Sequence, residues 1–141
     1  MRRRLILGDE IPEVVVPVSR ADLLRYADLS GDHNPIHQDE AVAHAVGLPG
    51  VVAHGMFTMG AAGRVLADYV GDVSAIVRYS ARFTRPVVVP ANDAVPNVAH
   101  IHITGKVSEV DDSARTATIS LTVTFNGQTV LGRTQATVRQ P

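Results

Sequence analysis

The chain has 141 residues, 45% of them hydrophobic, 19% charged and only 4% aromatic, with a formal net charge of -1. Such a chain is long enough to bury a core, and its balance is that of an ordered protein with one domain over residues 1–141. Near-neutral charge gives no electrostatic reason to expect nucleic acid, and the absence of cysteine excludes disulfides, thiolate nucleophiles and thiolate-bound zinc.

The N-terminal MRRRLILGDEIPE has a basic start but only Leu5, Ile6 and Leu7 as an apolar run. That is too short for a signal peptide, and far short of the ~20 apolar residues a membrane span requires. The absence of cysteines is compatible with a reducing cytosol, so a cytoplasmic protein with no membrane partner is the expectation.

Residues 1–18 read as an opening strand. Val14, Val15, Val16 and Val18 are β-branched, and Pro12 and Pro17 mark edges or turns. Ser19 is a helix N-cap with Asp22 three residues on, a weak capping box. Leu23, Leu24, Tyr26 and Ala27 form one apolar helical face, and Gly31 is the stop. After His37 a short helix begins at Gln38 or Asp39 and runs to Val46, where Gly47 ends it.

Residues 56–70, MFTMGAAGRVLADYV, read as a third helix ending at Gly71. Its only charges are Arg64 and Asp68, four apart on one face, so most of its circumference is expected to be buried. The run Gly60-Ala61-Ala62-Gly63 costs helix propensity, which predicts close backbone approach by a neighbour.

The period then changes. Ile76–Phe83 is a predicted strand, and Pro86–Pro90 encloses three valines. Ala99, Ile101, Ile103, Gly105 and Val107 alternate with polar residues, as do Ala117, Ile119, Leu121, Val123 and Phe125. Asn126-Gly127 is a hairpin signal, and the chain returns over 129–138. One strand, two small helices, one apolar helix and about four strands in a meander leave a single economical packing. It is an α+β hot-dog fold, a curved antiparallel sheet wrapped around the long helix.

The chemistry-bearing stretch is YADLSGDHNPIH, residues 26–37. A carboxylate and an imidazole on one short loop can share a water, Asp32 and His37 dividing its protons between them. From spacing alone a second reading stands equally: Asp32 closes an Asx turn or caps the next helix, and His37 packs at a helix start. Asn34 shapes the loop or hydrogen-bonds near the carboxylate. His54 points either into the site or into packing. His100 and His102 lie on one strand face at a spacing that suits a metal pair, but no third ligand follows them, so no metal is expected.

Residues 26–43, YADLSGDHNPIHQDEAVA, closely resemble the signature of the MaoC-like hydratase family, which includes (R)-specific enoyl-CoA hydratases. VVAHGM at 51–56 resembles the segment such proteins place before the central helix. The resemblance implies that Asp32 and His37 are the catalytic pair and that the Gly55 backbone amide donates to the thioester carbonyl. Early helix amides lack internal partners and favour negative charge, which supports that role on physical grounds. The implied activity is reversible hydration and dehydration between trans-2-enoyl and (R)-3-hydroxyacyl thioesters of CoA or acyl carrier protein, in fatty-acid or polyketide-type metabolism. It needs no cofactor.

One departure bears on the assembly. Homodimeric hydratases of this family commonly have a Ser on the central helix where Gly63 stands here. HGMFTMG at 54–60 and residues 71–93 look more like the catalytic B-type subunit of mycobacterial (3R)-hydroxyacyl carrier-protein dehydratase, which pairs with a related non-catalytic subunit. The expected partner is therefore a second hot-dog subunit, in a homodimer or a heterodimer. Two other readings share the fold: a non-catalytic acyl-thioester-binding partner subunit, and a hot-dog thioesterase.

Overall fold

The structure, a computed structural model, describes residues 2–141. Strand β1 spans Glu10–Val18, followed by helices α1 (Arg20–Ser30), α2 (Glu40–Ala45) and α3 (Gly55–Val70). Strands β2 (Ile76–Phe83), β3 (Ala99–Asp111), β4 (Thr116–Phe125) and β5 (Gln128–Arg139) complete one antiparallel sheet in the order β1-β3-β4-β5-β2. The helix α3 is cupped by this sheet, as the hot-dog arrangement requires.

Local signals set the helix ends. The Asp22 amide donates to Ser19 Oγ (3.2 Å) and the Ser19 amide to Asp22 Oδ2 (2.9 Å), closing the capping box of α1. Gly31 takes the left-handed conformation at φ 79°, donating to Ala27 O, and turns the chain toward Asp32. Asp39 caps α2 by accepting from the Ala41 and Val42 amides. Gly71 ends α3 as expected.

Two expectations change. The opening strand is shorter than 1–18, because the turn around Gly8 precedes it and β1 begins at Glu10; Met1 lies outside the described residues. The four later strands are not one meander. Only β3, β4 and β5 follow one another; β2 pairs with β5 at the far edge, so residues 84–98 must cross back over the molecule to reach β3 beside β1. With α3 filling the hollow of the sheet, the strand leaving its end is delivered to the edge opposite β1. Within the crossing, Pro86 and Pro90 bracket the valines and lack the N–H groups a ladder needs. The run forms only an isolated bridge, Val52 to Val88.

The core is aliphatic, as the scarcity of aromatics predicts. Leu66, Ile101, Ile103, Ile119 and Val123 are fully buried. Alternation holds along β3 and β4, with most inward residues buried and the intervening ones half-buried or exposed. Along α3 the solvent-exposed positions are Met56, Gly60, Arg64 and Asp68, a narrow stripe at i, i+4 spacing. Asn126 (φ 50°) and Gly127 (φ 75°) both have positive φ, the geometry of a tight type I′ turn.

Candidate active site

The loop after α1 is a chain of side-chain-to-backbone hydrogen bonds. Ser30 Oγ accepts from the Asp32 amide, Asp32 Oδ1 from the Asn34 amide, and Asn34 Oδ1 from the Ile36 amide, each at 3.2 Å. Asn34 thereby caps the 3₁₀ turn Pro35–His37, so its role is loop shaping. Asp32 closes an Asx turn as well as facing the cavity. The two readings that spacing left open are not exclusive, because one carboxylate oxygen serves the turn and the other is uncommitted.

His37 is only 8% exposed, and its Nδ1–H donates to Val52 O at 2.7 Å. A carbonyl can only accept, so the proton of the neutral ring sits on Nδ1 and Nε2 carries a free lone pair. Val52 is held in turn: its amide donates to Ile36 O, while the neighbouring Ala53 amide bonds to Val87 O and the Val89 amide to Val51 O. The valine run at 86–90 thus braces the segment that orients His37. Burial is the largest influence on this imidazole and pushes its pKa below the ordinary value; nearby His54 acts in the same direction, while the Val52 carbonyl and Asp32 oppose it.

His54 belongs to the site. Its ring stacks on that of His37, with centroids 3.7 Å apart and planes inclined by 22°. Its Nε2–H donates to the backbone carbonyl of Asp32 at 3.0 Å, and it is 2% exposed. Tyr26 meets it edge-on at 4.7 Å. Its Nδ1 is buried without a partner, a costly arrangement outside functional sites. One residue therefore touches both members of the predicted pair, by hydrogen bond on one side and by ring face on the other. Neither contact has a local signature, so the sequence alone leaves His54 between site and packing.

Ligand-type atoms of Asp32, His37 and His54 all lie within 4.8 Å of one another, the one such trio among the described residues. They are also the set that could hold a metal ion. Each histidine commits one ring nitrogen to a backbone carbonyl and keeps the other free. The open carboxylate beside a lone-pair nitrogen can equally hold a water molecule. His100 and His102 stay outside the site; both are exposed or half-buried, and His102 pairs with Glu13 across to β1 at 3.2 Å.

Gly55 is the first residue of α3. His54, its N-cap, supplies no side-chain cap, so no hydrogen-bond acceptor meets the Gly55 amide among the described residues. A Cβ at Gly55 would lie 3.1 Å from the Phe83 ring, which explains the glycine by close approach. Asp32, His37, His54, Gly55, Phe83 and Arg85 share one cavity of about 700 Å³. Phe83 and Arg85 were not anticipated from sequence, since they reach the site only through the edge position of β2. At Gly63 the space beside the helix is taken by Tyr79, whose ring would be 3.1 Å from a Cβ there.

A sheet curved around one long helix, with a carboxylate and an imidazole gathered at the head of that helix, defines a hot-dog domain of the dehydratase type. The chain belongs to the MaoC-like family: the MaoC like domain matches residues 8–124. It is 46% identical over 80 residues to 3-hydroxyacyl-thioester dehydratase X of Mycobacterium tuberculosis, a match covering 57% of this chain and 28% of that protein. A solved MaoC-like dehydratase superposes with a TM-score of 0.90 at 36% identity, covering 97% of this chain and 41% of the other. The chain therefore spans less than half the length of these relatives. The (R)-hydratase from A. caviae involved in PHA biosynthesis shares the fold at near-equal length, with a TM-score of 0.79 and 22% identity over 97% of this chain and 98% of that one.

Proposed function

We propose that this domain catalyses the reversible addition of water to trans-2-enoyl thioesters, giving (R)-3-hydroxyacyl thioesters of CoA or acyl carrier protein. One observation carries the reading: the Asp32 carboxylate and the lone-pair nitrogen of His37 share a cavity with the unpartnered amide of Gly55. The family and its dehydratase relatives support the same chemistry.

In the hydration direction, Asp32 and His37 hold a water whose oxygen bonds to C3 of the enoyl group. The C2=C3 electron pair shifts toward the thioester, and negative charge grows on the carbonyl oxygen. The Gly55 amide and the positive end of α3 face that oxygen and stabilise it. One water proton passes to the pair, which supplies a proton to C2 as the enolate collapses. Dehydration runs the same steps backwards. No electron is gained or lost, so no redox cofactor takes part. His54 fixes the geometry by holding the Asp32 backbone against the His37 ring.

The reading treats residues 1–141 as one domain acting beside a second hot-dog subunit. The cavity mouth supports this: Met56 is 58% exposed and Phe83 59%, and β2 is an edge strand with one side unpaired. No helix among the described residues is long and apolar enough to cross a membrane, and a cysteine-free chain suits the reducing cytoplasm, where we place it.

The test is loss of enoyl absorbance from crotonyl-CoA, measured for the protein alone and with a related hot-dog subunit. Wild type should turn over the substrate while Asp32→Asn and His37→Ala should not. Full activity in both variants would overturn the mechanism. Release of free thiol without hydration would identify a thioesterase, and binding without turnover in every combination a non-catalytic subunit.

A further inference from the structure

The first turns of α3 carry a hydroxyl that the mechanism above leaves unused. Thr58 follows Gly55 by three residues, which sets the two on one face of the helix. Helical side chains tilt toward the N-terminus, so that of Thr58 covers the turn where the Gly55 amide lies free. Both residues line the cavity that holds Asp32 and His37. Of the buried residues of α3, namely Thr58, Ala62, Val65, Leu66 and Val70, Thr58 alone is polar. Packing would be served as well by a valine.

A threonine inside a helix commonly turns its hydroxyl onto the carbonyl four residues back. Here that carbonyl is His54 O, which already accepts from the Phe57 amide at 3.0 Å and the Thr58 amide at 3.3 Å. A carbonyl oxygen has two lone pairs, and both are taken. The Thr58 hydroxyl makes no hydrogen bond within the protein among the described residues, although the residue is only 3% exposed. Nor is it sealed in: His54 Nδ1 is the one side-chain polar atom among the described residues that is both shut from solvent and unpartnered. The Thr58 oxygen therefore opens on the cavity that the residue lines.

The other hydroxyls of this cavity are differently placed. Ser30 Oγ accepts from the Asp32 amide, and Thr84 Oγ1 donates to Thr129 O at 3.0 Å. Tyr26 stands on α1 and meets His54 by its ring. Only Thr58 brings an uncommitted O–H to the helix end that carries the Gly55 amide. An oxygen gaining negative charge in a water-poor site gains most from donors fixed in advance, and a single amide fills one of its lone pairs.

We propose that the Thr58 hydroxyl is the second hydrogen-bond donor to the thioester oxygen, beside the Gly55 amide, and hence a catalytic residue. Its proton stays on Thr58 throughout and no bond to the substrate forms. The proposal rests on the hydration reading above, and the experiment separates the two. Thr58→Val removes the hydroxyl and keeps the branched shape; Thr58→Ala removes both and favours the helix; Thr58→Ser keeps the hydroxyl. Each is assayed with crotonyl-CoA, alone and with a related hot-dog subunit. Infrared difference spectra then follow the carbonyl stretch of bound butanoyl-CoA, which lacks the double bond and carries an isotopic label at its carbonyl carbon.

The expected result is a fall of about 10²-fold in kcat for Thr58→Val and Thr58→Ala, the usual effect of losing one such donor. KM should change little, because the bond strengthens as charge develops. Thr58→Ser should recover most of the rate. The carbonyl stretch should drop on binding to wild type and Thr58→Ser, and drop less in the other two. Unchanged kcat and stretch in Thr58→Val and Thr58→Ala overturn the proposal, as does a wild type with no lowered stretch. Equal losses in Thr58→Ser and Thr58→Val would assign the residue to packing, and a slower reaction with an unchanged stretch would assign it to the water; either sinks the proposal. If wild type does not turn over crotonyl-CoA, the enzymatic reading fails. The stretch then decides alone: its loss in Thr58→Val upholds the donor, and its retention removes it.

Discussion

The two flanks of α3 draw on one run of small residues and end differently. Toward β2, Gly63 leaves room that Tyr79 fills, and the Tyr79 hydroxyl is locked to the helix backbone at Met59. Toward β1, Gly60 leaves room that no residue fills. The difference comes from the facing strands. β2 sends aromatic rings at Tyr79 and Phe83, four apart and hence on one face of the strand. β1 sends Ile and Val side chains, and these share with the helix a groove that stays open. A small residue on a helix announces close approach or empty space, and only its neighbour decides which.

The largest expected effect tests whether the flanks share one reaction centre. His37→Ala should lower kcat by ~10²–10⁴-fold, the usual contribution of a positioned acid–base group. The loss should be equal for crotonyl-CoA and dodecenoyl-CoA, because the chemistry sits at the head of α3 and serves both flanks. A loss confined to one chain length, measured by steady-state kinetics on both substrates, would break the comparison.

The sealed flank comes next. Tyr79→Ala should cost about 2 kcal/mol in denaturant unfolding, below the ~3–5 kcal/mol of fully buried aromatics because Tyr79 is only half-buried. Tyr79→Phe keeps the ring and loses the bond to Met59 O, for about 1 kcal/mol. Equal losses in the two variants would mean that the ring seals nothing. The same burial pushes the Tyr79 phenol up to about 12, so the seal should persist through ordinary alkaline conditions.

A smaller effect follows from His37, whose pKa is lowered from the ordinary 6.5, chiefly by burial. Between the unfolded and the lower folded value, the unfolded chain binds more protons than the native one. Stability therefore falls as pH drops through 6.5 and levels off below the folded pKa. Urea midpoints across this range should show that slope in wild type and less of it in His37→Gln. In the same range His37 stays neutral in the folded protein, so the acid limb of activity should lie below 6.5.

How much of this was legible in the sequence follows the range of the interactions. Caps and stops at Ser19, Gly31, Asp39 and Gly71 are local, as is the alternation of β3 and β4, and each was readable. The candidate loop was readable because Asp32 and Asn34 shape it through bonds spanning two residues and because it carries a recognisable pattern, whereas the bond that orients the His37 ring, to Val52 O fifteen residues on, was not. The placement of β2 was not, since its pairing with β5 joins segments some fifty residues apart. For the same reason Phe83 and Arg85 went unseen at the cavity, and the valines at 86–90 gave no sign that they brace the segment holding His37. His54 could be named but not placed. Its two contacts, with Asp32 and His37, both cross from one loop to another.

The smallest prediction isolates the comparison itself. Gly60→Ala and Gly63→Ala make the same change three positions apart in one helix, so the propensity gain is common to both, about 0.8–1 kcal/mol for Gly to Ala. At Gly60 the new methyl enters open space and the gain should appear nearly whole in the unfolding free energy. At Gly63 it comes within 3.1 Å of the Tyr79 ring, which is pinned by its hydroxyl and can give little. Crowding there should cancel most of the gain. The difference between the two variants, read from matched urea titrations, should shrink when both are made in a Tyr79→Ala background. A difference that survives the loss of the ring would mean that something other than Tyr79 distinguishes the two flanks.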